Sequence, residues 1–180
     1  MSETPKHRSR TYQWNCPEAI HKEAQSMSGL EFLQKAVIGK RARPPIAETL
    51  DFSLQEVSEG KAAFVAVPAE YHYNPIGTVH GGYFGTLLDS AMGCAVHTLL
   101  QPGEGYTTLE YKINLVRALT AEVGEVRAEG WVVYKGSRMA TAEGKIIDSK
   151  GKIYAHGSTT CMIFSTWEAR GDKKNGGSKN

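Results

Sequence analysis

The chain has 180 residues and nearly balanced charge, 21 Lys and Arg against 19 Asp and Glu, for a formal net charge of +2. That length suits one domain with tails around a single core, and the balance argues against a nucleic-acid binder, which carries a strongly basic face. No apolar run is long enough for a helical membrane span, and the polar start Met1-Ser-Glu-Thr-Pro-Lys-His-Arg-Ser-Arg has no secretion-signal pattern. Cys16, Cys94 and Cys161 are spaced as neither a disulfide framework nor a metal site, which points to reduced thiols in a cytoplasmic protein. The histidines are scattered, so no metal and no cofactor is expected.

Residues 1–28 are polar and mixed, and are expected to form a flexible segment. Leu30, Leu33, Ala36 and Val37 recur at helical spacing, predicting a short helix over Gly29 to Val37 that Gly39 and Pro44-Pro45 end. A strand pattern over about Ile46 to Val57, a turn at Ser58 to Lys61 and a second strand to Val67 predict a hairpin. The loop Asn74-Pro75-Ile76-Gly77 leads into a long helix over about Gly81 to Leu100, closed by Pro102-Gly103. Strand patterns follow over Thr107 to Val116, Val123 to Tyr134, Ser137 to Asp148 and Ile153 to Phe164. In the first of these, Leu109, Tyr111, Ile113 and Leu115 are expected on one face. Residues 166–180 have the composition of a disordered tail.

An antiparallel sheet with one helix must bury its apolar face against that helix. The small residues Ala140, Ala142 and Gly144 would let the helix come close. On the helix, Phe84, Leu87, Leu88, Ala91, Met92, Ala95 and Leu99 make a broad apolar stripe for the sheet. Asp89 lies off its centre, on an edge shared with Gly82, Gly85 and Gly93. Glycine inside a helix costs about 0.5–1 kcal/mol relative to alanine. These glycines therefore mark a close approach, either of a ligand or of a neighbouring strand or helix.

The densest chemistry lies in Asn74-Pro-Ile-Gly-Thr-Val-His80-Gly81-Gly82, just before that helix. Backbone N–H groups at a helix start can hold a developing negative charge, and a lone acid among apolar and small residues asks for a function. The pattern suits acyl transfer or hydrolysis, with Asp89 as the acid–base group. Each residue also has a structural reading: Asp89 as an ion-pair partner, His80 as a helix cap, Asn74 as a loop cap. From His80 to Asp89 the helix advances by about 13 Å and about half a turn. One chain is therefore not expected to bring both to one carbon, whereas a symmetric dimer could.

Asn-x5-His-Gly-Gly-x6-Asp at a loop-to-helix junction, in this strand order, resembles the PaaI-like acyl-CoA thioesterases of the hotdog superfamily. Gly29-Leu-Glu-Phe-Leu, Arg43-Pro-Pro-Ile, Ile113-Asn-Leu-Val-Arg-Ala and Lys135-Gly-Ser-Arg-Met-Ala-Thr-Ala-Glu-Gly add to the likeness. The resemblance implies an α+β hotdog domain over residues 29–165, an antiparallel sheet wrapped around one long central helix. It implies that Gly81 donates its N–H to the thioester carbonyl, that His80 and Asn74 orient carbonyl and water, and that Asp89 of a partner subunit is base or nucleophile. Thr108, with Thr107 as the alternative, would hold the water. Gly82 would line the substrate, and Arg117, Lys135, Arg138 and the run Lys40 to Arg43 are candidates for the phosphates of coenzyme A, each with solvated surface charge as its alternative. Tyr71, Tyr73, Tyr83 and Phe84 could suit an aryl-acyl or medium-chain acyl group, or belong to the core. The implied partners are an acyl-CoA and further copies of the chain, as homodimer or homotetramer. A hotdog dehydratase or hydratase and a non-catalytic acyl-CoA binding module are the competing readings.

Overall fold

The structure, a computed structural model, describes residues 7–40 and 42–166. Among these residues, four α-helices and six strands follow in the order α1 (Pro17–Ala24), α2 (Gly29–Val37), α3 (Pro45–Leu50), β1 (Phe52–Ser58), β2 (Lys61–Ala66), α4 (Gly81–His97), β3 (Glu104–Leu115), β4 (Val126–Lys135), β5 (Met139–Asp148) and β6 (Ile153–Ser165). All strand pairs are antiparallel, and the sheet order is β1-β2-β4-β5-β6-β3. The strand that follows α4 in the chain thus lies at an edge, beside β6. The sheet curls around α4, which is the expected hotdog arrangement.

Helix α2 has the expected bounds: Ser28 caps it by accepting the Glu31 N–H at 3.3 Å, and Gly39, at φ 69°, lets the chain turn away. The first strand does not begin at Ile46. Pro45 starts α3 instead, Thr49 hydrogen-bonds the Pro45 carbonyl at 2.9 Å, and Asp51 at φ 56° turns the chain into β1. The reason is a change of period: Ala47 and Leu50, three apart, turn toward the core together, as only a helix allows. α1 is an addition to the expected elements; Pro17 opens it, and none of its residues is buried. The segment from residue 167 on, expected to be a disordered tail, lies outside the described residues.

Leu87, Leu88, Ala91, Met92 and Val96 of α4 are fully buried. Burying each of the large ones contributes about 1.5–3 kcal/mol. Close seating of the helix depends on Gly130 in β4, where a Cβ would stand 2.4 Å from the backbone C and O of Ala91. Gly130 pairs with Gly144, where a Cβ would stand 2.9 Å from Met92 Cγ. The expected contribution of Gly144 is therefore present, but the tightest contact is made one strand over.

A bulge corrects the reading of β3. Thr108 pairs with Cys161, while Glu110 pairs with Thr160, so Leu109 is an extra residue and the face alternation shifts there. Leu109 thereby leaves the face shared by Tyr111, Ile113 and Leu115. The inward face of β3 carries Tyr106 and Thr108 before the bulge and Tyr111, Ile113 and Leu115 after it, judged by their pairing with the Ile163, Cys161 and Thr159 side of β6.

Candidate active site at the start and edge of helix α4

The loop before α4 is a small hairpin. The His80 N–H donates to the His72 carbonyl at 2.8 Å, Tyr73 and Val79 form a bridge, and the Asn74 N–H donates to the Thr78 carbonyl at 2.8 Å. Gly77, at φ 83°, turns the tip. The Asn74 side chain shapes this turn: Oδ1 accepts the N–H groups of Ile76 (3.0 Å) and Thr78 (3.3 Å), and Nδ2 donates to Thr78 Oγ1 (3.2 Å). That is the loop-capping geometry of an Asx turn.

The hairpin delivers His80 as the N-cap of α4, with Nδ1 accepting the Gly82 N–H at 2.8 Å. The Tyr83 N–H donates to the His80 carbonyl at 2.9 Å. Of the orphan donors in the first turn of a helix, the N–H of Gly81 is then left without an acceptor among the described residues. Gly82, expected to line the substrate, has its N–H engaged by His80. The cap reading of His80 and an open donor at Gly81 therefore hold together, because the cap engages Gly82 and leaves the Gly81 N–H, an orphan by position, free.

Farther along α4, the half-buried Asp89 accepts a hydrogen bond from Thr108 Oγ1 to Oδ1 at 2.9 Å. No ion pair engages its carboxylate among the described residues. Thr107 pairs with Met162 on the opposite face, so the hydroxyl beside Asp89 is that of Thr108. The bulge at Leu109 puts it there.

Residues 81, 85, 89 and 93 fall on one edge of α4, four apart, and β3 runs along it. A Cβ on Gly81 would meet Leu115 Cδ1 at 3.1 Å, one on Gly85 would meet the Tyr111 hydroxyl at 3.1 Å, and one on Gly93 the Tyr106 hydroxyl at 2.8 Å. At Gly85 and Gly93 the close approach is therefore that of strand side chains. Gly82 is not on this edge; its Cβ would meet only the His80 ring, at 2.9 Å from Nδ1. Burial holds the Tyr106 phenol well above its ordinary pKa, with Cys94, Cys161 and the Asp89 charge adding to the effect.

The basic candidates separate. Arg117 lies in the loop after β3, which the Val79 N–H to Leu119 carbonyl bond (2.9 Å) ties to the start of α4. Lys135 and Arg138 flank the β4–β5 turn, beside Ile163, which pairs with Tyr106. The path along β3 from Tyr106 to Leu115 is about 30 Å, so within one chain these two stand far from Gly81. Lys40 is exposed and Arg41 lies outside the described residues. Arg43 is committed to structure, pairing with Glu48 at 2.5 Å and with Asp51 at 3.9 Å.

The aromatic candidates are also engaged. Phe84 is in the core, Tyr83 stacks on His72, the Tyr73 hydroxyl accepts the Ala121 N–H at 2.8 Å, and the Tyr71 hydroxyl donates to Asp51 at 3.1 Å. The aromatic side chains along the Asp89 edge are instead Tyr106 and Tyr111. Among the described residues, a cleft of about 1230 Å³ lies over β1, β2 and β4, and one of about 700 Å³ lies beside Arg138 and Phe164. Neither is lined by Gly81 or Asp89.

Residues 76–155, which hold Gly81, Asp89 and Thr108, match the family model described as "Thioesterase superfamily". The match spans 80 of the 180 residues, the stretch from the loop before α4 to the start of β6. Thioester hydrolysis is the reaction class that this match and the thioesterase neighbours support. Among solved structures, the chain is similar to a phenylacetic acid degradation-related putative thioesterase from Ralstonia eutropha JMP134, at 26% identity and TM-score 0.65 over 72% of this chain and 98% of that one. It is similar to a protein from Thermus thermophilus at 29% identity and TM-score 0.60, over 67% and 97% of the two chains. The PaaI protein of the Escherichia coli phenylacetic acid degradation operon shares the fold at 18% identity and TM-score 0.66, over 77% and 97%. No protein of curated function matches this chain significantly.

Proposed function

We propose that the chain hydrolyses an aryl-acyl or medium-chain acyl-CoA to the free acid and CoA, at sites shared between two copies. One observation carries the reading. The open N–H of Gly81 and the Thr108-held carboxylate of Asp89 share one edge of α4, yet about 12 Å of helix separates them. They are too far apart to act on one carbonyl within a chain, and both face the side of α4 along which the edge strand β3 runs.

An edge strand presents unpaired backbone groups. If β3 pairs antiparallel with β3 of a second copy, centred near Tyr111 and Lys112, Thr108 of one copy stands level with Leu115 of the other. Asp89 of one copy then approaches Gly81 of the other, and the Lys135–Arg138 turn comes to the Arg117 side of the shared groove. This supports a homodimer as the active unit, with a homotetramer as the larger assembly of such dimers.

In that arrangement the Gly81 N–H, with the α4 dipole behind it, polarises the thioester carbonyl. Asp89 takes a proton from water as the oxygen attacks. The tetrahedral oxyanion leans on Gly81 and collapses with expulsion of the CoA thiolate, which receives the proton. Thr108 fixes the rotamer of the carboxylate, and Tyr111 offers a flat apolar wall between the two groups. Preference for an aryl-acyl group draws support from Tyr106 and Tyr111 and from the name of the Ralstonia relative. The free cysteines suit a cytoplasmic setting.

The test is thiol release from a panel of aryl-, short-, medium- and long-chain acyl-CoAs. Turnover with a preference for phenylacetyl- or medium-chain acyl-CoA is expected. Hydration of an enoyl-CoA without thiol release would replace hydrolysis by hydratase chemistry, and tight binding without turnover would make the chain a binding module. Thr108→Val should lower kcat about tenfold, the scale of losing a hydrogen bond to a charged group, with Thr108→Ser restoring most of it. Thr107→Val should leave kcat unchanged.

A further inference from the structure

His72 takes no part in the chemistry above, yet it ties α3, the turn before the hairpin, the base of the hairpin and the first turn of α4 together. Its ring is buried, at 6% exposure. Nδ1 accepts the Ala69 N–H at 3.1 Å and Nε2 donates to the Leu50 carbonyl at 3.0 Å, partners that require the neutral imidazole with its proton on Nε2. The ring stacks on Tyr83 with centroids 4.0 Å apart and planes at 24°. The His72 carbonyl accepts the His80 N–H at 2.8 Å, closing the base of the hairpin.

We propose that His72 is the positioning residue for this site: its neutral imidazole locks the hairpin that sets the His80 cap, and thereby the direction of the Gly81 N–H. The proposal rests on the hydrolase reading given above. A proton on Nδ1 would turn that atom from acceptor to donor, facing the Ala69 N–H. The Ala69 bond would be lost and a charge would sit in a buried place. The groups around the ring are Tyr71 on its own turn, Tyr83 of α4, Asp51 after α3, and Arg10, whose guanidinium lies 3.9 Å from the Tyr71 ring centroid and 3.8 Å from Asp51. Burial lowers the His72 pKa below the ordinary histidine value and Arg10 lowers it further, while the Leu50 bond and Asp51 act the other way and are outweighed.

The direction of the pH effect follows. An unfolded histidine takes up its proton near pH 6.5, before the folded one does. The contribution of the neutral clamp is complete above that pH and is lost as pH falls toward and through the lowered folded value. Activity should fall in the same window, through kcat rather than KM, because the group displaced is the one aimed at the reacting carbonyl.

The experiment follows kcat and KM against pH for the wild type and His72→Gln, which keeps an amide donor for Leu50 and does not titrate. In parallel, the amide resonances of Gly81 and Gly82 and the ring resonances of His72 are titrated in the wild-type protein. The expected result is an acid limb in kcat with a component whose midpoint matches the His72 ring and the two amides, and the loss of that component in His72→Gln, where only the limb of the base Asp89 is left. At pH 8 the variant should keep KM within about twofold and lose up to about tenfold in kcat, the cost of a slightly misplaced catalytic group. An acid limb unchanged in the variant, or Gly81 and Gly82 amides that ignore the His72 midpoint, would overturn the proposal. If no acyl-CoA is turned over, the hydrolase reading fails on its own, and the amide titration still decides the clamp. The same titration decides it if His72→Gln does not fold.

Discussion

Gly81→Pro should lower kcat by about 10²- to 10³-fold, the usual loss on removing one oxyanion donor, with α4 left in place. The substitution deletes one N–H and little else. Gly81 is the first residue of α4, a position where proline is favoured. The residue before it, His80, already has the extended geometry that precedes proline, φ −63° and ψ 138°. The new Cβ would stand 3.1 Å from Leu115 Cδ1, the end of a flexible side chain. Gly81→Ala adds the same carbon and keeps the N–H, so it should retain most activity. Circular dichroism and thermal melting check that both variants are folded, and a folded, fully active Gly81→Pro protein would remove Gly81 from the mechanism.

Asp89→Asn should cost at least about 10²-fold in kcat, the lower range for losing a general base, with a small change in KM. The Thr108 hydroxyl can still donate to the amide oxygen, so fold and assembly should survive. The two dead variants together report where the site lies. Refolded as an equal mixture, Gly81→Pro and Asp89→Asn subunits pair at random, and half the dimers are mixed. If each site takes Gly81 from one copy and Asp89 from the other, a mixed dimer has one site with both lesions and one with neither. About a quarter of wild-type activity should then return. If both groups act within one chain, every site carries a lesion and nothing returns. Native mass spectrometry must show the mixed dimers for the result to count.

Much of this architecture was legible in the sequence because periodicity carries it. The helix from Gly81 and the four strands after it emerge close to their expected bounds, since long runs of period 3.6 or 2 leave few alternatives. The start of β1 was not legible, because a six-residue helix at Pro45 mimics the first turn of a strand pattern in a window so short. The register of β3 was hidden for another reason. A bulge is set by pairing with β6, and no local signal near Leu109 announces it. That one extra residue separates Thr108 from Thr107 as neighbour of Asp89, so the choice between them needed the sheet. The loop-cap reading of Asn74 and the helix-cap reading of His80 both followed from residue type, whereas His72 carried no signal at all. Its partners come from Leu50 and Ala69, brought together only by the fold.

The seat of α4 on Gly130 bears on how such a chain could change its substrate. With no side chain between β4 and the Ala91 backbone, the helix cannot slide along its axis without a collision, and packed interiors do not yield gradually. Gly81 and Asp89 are therefore two marks on a fixed ruler, with a spacing that mutation elsewhere leaves alone. New acyl groups must be accommodated by what surrounds the ruler: the side chains of β3, the Arg117 loop and the Asn74 hairpin. Drift in specificity should accumulate there, while α4 and the glycine beneath it stay as they are.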